Sequence, residues 1–174
     1  MNAFSRLLNQ PEYVHAAINH LPLVGMFIAI LALIAGLVAR SRSSTFIALT
    51  LLTLTALSIW PVSHYGEAGY DRVLSMSDDS GQAFLKYHAE LAGRWSFLYY
   101  ITAGIAGLTC GLGIKWPKWL LIGSLLSLVL AAGSLAAGIA IAQAGGEVRH
   151  REFRLGPPPA VKEGAAADTL PRAA

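Results

Sequence analysis

The chain has 174 residues, 55% of them hydrophobic and 13% charged, with a mean hydropathy of +0.52 and a formal net charge of +3. So apolar a chain of this length lacks the polar residues needed to cover a soluble surface, which excludes an ordinary soluble domain. The single cysteine, Cys110, excludes an intramolecular disulfide, and no basic stripe with interleaved aromatics points to nucleic acid.

After a short mixed start, Pro11 and Glu12 predict a helix N-terminus, with the fixed proline φ and an acid at the positive helix end. The helix is expected to run through His15, Asn19 and His20 into a first apolar run, residues 21–38, with a kink beside His20 because Pro22 removes a backbone donor. A second apolar run covers residues 45–62. Residues 64–94 then read as the only long extramembrane segment, with turns expected at Gly66, Gly69 and within 75–81. Its second part places Leu85, Ala89 and Ala92 at helical spacing, so the next helix is expected to begin early and to project His88 about 10 Å beyond Trp95. The third and fourth apolar runs are residues 95–114 and 119–142. Gly145 and Gly146 are expected to end or bend the last helix. Pro157, Pro158 and Pro159 with an alanine-rich mixture predict a disordered tail, so the chain divides into a helical domain, 1–154, and a tail, 155–174.

Each apolar run is uncharged and long enough to cross the ~30 Å of bilayer hydrocarbon, which takes roughly 20 residues. The expected fold is all-α, an integral membrane four-helix bundle running up-down-up-down. Small residues at 103, 107 and 111, and at 132, 136, 140 and 144, recur every fourth position and predict close helix contacts. The short connections 39–44 and 115–118 carry Arg40, Arg42, Lys115 and Lys118 without an acid, whereas all ten acidic residues lie at the other end. The positive-inside rule places those connections in the cytoplasm, hence both termini on the periplasmic side of a bacterial inner membrane. No cleaved leader is expected, because the first run starts late and no small-residue cleavage site follows it.

All five histidines, His15, His20, His64, His88 and His150, fall at the end away from those connections, and every long helix contributes at least one. In a simple antiparallel bundle the first and third helices are diagonal partners, as are the second and fourth, and such diagonals hold bis-histidine b-type haem. This sets His88 against His15 or His20, and His64 against His150. Asn19, Glu67 or Glu90 would accept from the imidazole N–H turned away from the iron, and Arg149, Arg151 and Arg154 could face haem propionates. No C-x-x-C-H occurs, which excludes covalent haem attachment. A direct transition-metal site built from His20, His88, His150, Glu67 and Glu90 is a second reading. A polar cap that docks a partner is a third.

The elements Asn19-His20-Leu21-Pro22, Gly66-Glu67-Ala68, His88, and Gly145-Gly146-Glu147-Val148-Arg149-His150 with Arg154 resemble a family of uncharacterised bacterial four-span membrane proteins, a domain-of-unknown-function group. The resemblance covers approximately residues 13–154. It implies that His20, Glu67, His88 and His150 form one recurring outer cluster, while His64 stands where the family has a threonine-like residue. That family has no assigned activity and implies no reaction.

The expected function is therefore electron transfer through a membrane-embedded b-type haem, with His20 and His88 as its axial ligands. The expected partners are the lipid bilayer, a quinone or other membrane subunits, and a periplasmic c-type cytochrome. No nucleophile elbow, P-loop or dinucleotide fingerprint suggests an enzyme, and no mid-run charge suggests a transporter.

Overall fold

The structure, a computed structural model, describes residues 7–160. Its regular elements are all helical among those residues: α1 (Pro11–Ile18), α2 (His20–Val38), α3 (Arg42–Leu57), α4 (Ile59–Ser75), α5 (Asp79–Trp95), α6 (Phe97–Lys115), α7 (Pro117–Arg149) and a 3₁₀ turn (Arg151–Phe153). They combine into four long helices, Pro11–Val38, Arg42–Ser75, Asp79–Lys115 and Pro117–Arg149, each long and apolar enough to cross a membrane.

The first three long helices each carry a local break where the apolar run meets the histidine-bearing end, at Asn19, Ser58 and Ser96. Pro22 and Pro61 lie three residues beyond the first two breaks and remove the hydrogen bonds that would cross them. At the third, the Ser96 hydroxyl donates to Ala92 O at 2.6 Å, a back-bond that bends helices.

Consecutive long helices pack on one another, and the first also packs on the fourth. Their contacts run antiparallel: Gly25 meets Thr55 and Gly36 meets Thr45 between α2 and α3. Thr53 meets Gly107 between α3 and α6, while Thr102 and Ser134 share a hydrogen bond of 2.9 Å between α6 and α7. The main core joins Met26, Ala29, Leu33, Leu49, Leu52, Tyr99, Ala106 and Ala131, and a smaller cluster of Phe84, Leu85 and Val148 ties α5 to α7 at the histidine end.

The distribution of side chains is inverted relative to a soluble bundle. On α7 the buried stripe is Ser124, Ser127, Ala131, Ser134 and Gly138, while Leu121, Ile122, Leu125, Leu126 and Val129 are exposed. The small-residue stripe expected at 132, 136 and 140 lies on that exposed face, and of the four only Ala144 is buried. The correction has a steric cause. A methyl group at Gly138 would collide with the Tyr99 hydroxyl and one at Gly123 with Thr109, so these glycines take the close contacts.

The long segment expected at 64–94 is mostly helix, and only Met76, Ser77 and Asp78 separate α4 from α5. Gly66 and Gly69 do not turn the chain. A Cβ on Gly66 would lie 2.9 Å from His15 Nδ1, and one on Gly69 would lie 2.9 Å from Glu12 N, so both residues let α1 lie flat on α4. Likewise α7 continues through Gly145 and Gly146 to Arg149. Of the expected tail, 155–160 carry no helix or strand, and the remainder lies outside the described residues.

At the opposite end, Arg40 adopts a left-handed φ of 50° in the turn between α2 and α3. Arg42 Nη2 donates to Gly113 O and Ile114 O at 2.9 and 2.8 Å, satisfying carbonyls that the end of α6 leaves free.

Close contacts at glycine make a direct test of this packing. Gly36→Ala would set its methyl 3.0–3.2 Å from the backbone of Ser44 and Thr45, which cannot yield. It is expected to cost about 1–3 kcal/mol. Gly104→Ala meets nothing within 4 Å and is expected to be neutral or to stabilise by up to about 1 kcal/mol. Size-exclusion thermostability of both variants in detergent checks the contrast.

Candidate functional site

His15 sits on α1 and His88 on α5, and both residues are partly buried. His15 Nδ1 donates to Val62 O on α4 at 2.9 Å, and His88 Nδ1 donates to Ile141 O on α7 at 2.8 Å. A carbonyl oxygen can only accept, so Nδ1 carries the proton in each ring and the neutral tautomer leaves its lone pair on Nε2. Neither Nε2 makes a hydrogen bond among the described residues.

The two bonds share a local design. Each acceptor carbonyl is followed four residues later by a glycine, Gly66 after Val62 and Gly145 after Ile141, and the imidazole lies over that glycine. A Cβ there would come within 2.9 Å of the His15 ring or 3.1 Å of the His88 ring. The α1/α4 and α5/α7 pairs therefore repeat one arrangement, which lets each ring reach a main-chain acceptor on its neighbour.

These two arrangements bring the imidazoles together. The ring centroids of His15 and His88 lie 6.3 Å apart with an interplanar angle of 84°. The structure thus pairs His88 with His15 instead of with His20. The other histidines stand apart: His20 is exposed at the start of α2, and His64 is exposed and stacked on Trp60 at 5.9 Å. His150 Nδ1 engages Glu152 Oε1 at 3.0 Å while its ring lies against Phe153. Residues four apart share a helix face and residues five apart do not, so His15 and His20 on one helix cannot both face His88.

Glu67 is exposed and Glu90 half-buried. Among the described residues no three histidine, cysteine or carboxylate groups converge to hold a metal ion, so His20, His88, His150, Glu67 and Glu90 are not brought together. The Asn19 side chain does not bond a histidine ring, and its Oδ1 is buried without a partner.

Two acidic groups at this end are buried in a way that sequence reasoning did not anticipate. Glu12, one turn before His15, is nearly buried and forms an ion pair of 2.7 Å with Arg72 Nε on α4. Glu147 on α7 is buried, 8% exposed. Neither follows from hydropathy, although the three-residue spacing of Glu12 and His15 places both on the face that meets Gly66 and Gly69.

At the start of the helix that carries His88, Asp78 caps α5 by accepting from Gly81 N at 2.7 Å and also pairs with Arg151 and Arg154 at 2.8 and 3.1 Å. The Arg154 side chain, followed by the Gly81 amide, holds the Asp78 carboxyl down at about 2. Compared with protein-family profiles, with curated proteins and with solved structures, the chain shows no significant match.

The Asp78 cluster has a pH signature. Because its folded pKa is depressed, the stability that ionised Asp78 contributes is present above about pH 4 and is lost as pH falls toward about 2. Asp78→Asn keeps a capping side chain but removes the charge, and is expected to melt below the wild type at pH 7. Melting both proteins across pH 7 to 2 checks it, since the gap should close below pH 4.

Proposed function

We propose that this is a multi-pass membrane protein that crosses the bilayer up-down-up-down and binds one b-type haem between His15 and His88 for electron transfer. The observation that carries the haem is the 6.3 Å separation of the two rings. His15 and His88, each with an Nε2 free of hydrogen bonds among the described residues, would be the residues that hold the haem iron.

The donor set supports the same reading. Two imidazoles, each oriented by an Nδ1–H bond to a main-chain carbonyl, would suit haem iron. Among the described residues no third protein ligand joins them, which does not suit a tetrahedral zinc site. Haem would supply one-electron chemistry. The protein's part is to fix the tautomer and angle of each ring, through Val62 and Gly66 on one side and Ile141 and Gly145 on the other. An imidazole so anchored reorients little when charge on its partner changes.

Membrane insertion is supported by the four long helices and by their inverted side-chain distribution, with hydroxyls and glycines inside and leucine, isoleucine and valine outside. The acid-free connections with Arg40, Arg42, Lys115 and Lys118 support a cytoplasmic location for that end, with the histidine end and both termini periplasmic in a bacterial inner membrane. On this reading the electron donor is a membrane quinone or another membrane subunit, and the acceptor is a periplasmic c-type cytochrome.

Protein expressed with ample haem and purified in detergent is expected to show a Soret band and a reduced-minus-oxidised b-type spectrum at one haem per chain. His15→Ala and His88→Ala are each expected to abolish that spectrum, whereas His20→Ala, His64→Ala and His150→Ala retain it. A spectrum lost with His20 but kept without His15, or no Soret band at all, overturns the assignment.

A further inference from the structure

A cavity of about 130 Å³ lies between the turn joining α4 to α5 and the end of α7, lined in part by Asp78, Arg149, Arg151 and Arg154. Three guanidinium charges face one carboxylate there, so the lining is cationic overall. The three arginines differ in how far they are engaged. Arg154 is 12% exposed at its side chain and uses every guanidinium nitrogen: Nε to Glu147 O at 2.7 Å, Nη2 to Val148 O at 2.8 Å, and Nη1 to Asp78 at 3.1 Å. It closes the cavity, with three of its five N–H donors already engaged.

Arg151 contacts Asp78 through Nη2 alone, at 2.8 Å, which leaves most of its fork of donors unengaged. Arg149 is exposed and makes no hydrogen bond or ion pair among the described residues. Asp78 has both oxygens occupied, by Gly81 N and by the two arginines, so its charge is already compensated.

The position of the cavity narrows the ligand. Val148 lies six residues beyond the last residue of the fourth apolar run, residue 142, or about 9 Å along the helix. That is just beyond a headgroup layer about 5–8 Å deep on each side of the hydrocarbon, within side-chain reach of its phosphates. Phe153 and Leu155, next to Arg154 in the chain, are 54% and 93% exposed, and apolar side chains left open beside arginines suit a membrane interface.

We propose that this cavity binds the phosphate of an anionic phospholipid headgroup, with Arg149 and Arg151 as the donors and Arg154 as the residue that holds its shape. Forked guanidinium donors match phosphate oxygens, and basic side chains at this depth strengthen binding to anionic headgroups. The inference rests on the membrane reading above and is independent of haem.

Native mass spectrometry of the full chain in neutral detergent tests it, with phosphatidylglycerol, phosphatidylcholine or inorganic phosphate as the added probe. One phosphatidylglycerol is expected to be retained per chain in preference to phosphatidylcholine. The double variant Arg149→Gln/Arg151→Gln is expected to weaken that retention about 30-fold, Arg149→Gln alone about five-fold, and Arg94→Gln not at all. Should the double variant fail to fold, Arg149→Gln decides, because its side chain makes no polar contact to lose.

Equal retention of the two lipids, or retention unchanged by these substitutions, overturns the site. Tight binding of inorganic phosphate without lipid retention assigns it to a free anion and overturns the lipid. Loss of haem in the double variant with phosphatidylglycerol still bound makes these arginines propionate partners and also overturns it. Flotation of the wild-type chain with phosphatidylcholine vesicles checks the membrane reading separately.

Discussion

Two hydrogen bonds from imidazole to main chain, His15 to Val62 and His88 to Ile141, set the geometry of the whole histidine end. Main-chain carbonyls within a helix already accept from the amide four residues on, so a side chain can share one only by coming close to the neighbouring helix axis. Glycine permits that approach. Gly66 and Gly145 sit where any Cβ would press on the ring, and Gly69 extends the same flat track to Glu12. The α1/α4 and α5/α7 pairs, the angle of each ring and the separation of the two rings all follow from these contacts.

The rest of the bundle holds those pairs in register with a core in which a few large side chains, Met26, Leu33, Leu49, Leu52 and Tyr99, pack among small ones. Alanine, glycine, serine and threonine fill much of the rest of its interior, and the hydroxyls of Thr45, Thr53, Thr102 and Thr109 return to carbonyls one turn earlier. Such a core packs by close backbone approach, which depends on shape more than on buried area. Each end is pinned by an arginine that donates to carbonyls left free at a helix terminus, Arg42 at the end of α6 and Arg154 at the end of α7. Cations there also complement the negative end of the helix dipole.

Much of this was legible in the residues themselves. Pro11 at the helix start, the break near His20 ahead of Pro22, and the early start of the helix carrying His88 follow from backbone chemistry that acts within one or two turns. The glycines misled because their local preference and their tertiary use oppose each other. Gly66, Gly69, Gly145 and Gly146 favour turns in isolation, yet a helix retains them when another chain segment needs the space a side chain would fill. The alanine stripe on α7 misled for a related reason, since serine and glycine on the adjacent face pack as closely and also meet Tyr99 and Thr102.

The sequence by itself determined that the chain is helical, where its four apolar runs lie, and that its histidines gather at one end, because hydropathy and proline placement are properties of single segments. Only the tertiary structure decided which histidines meet. A helix turns by about 100° per residue, so five residues separate His15 from His20 by enough rotation that one faces the bundle and the other does not. Which one faces inward depends on how α1 rolls against α4, and that roll is set by Val62, Gly66 and Gly69, some fifty residues away in the chain.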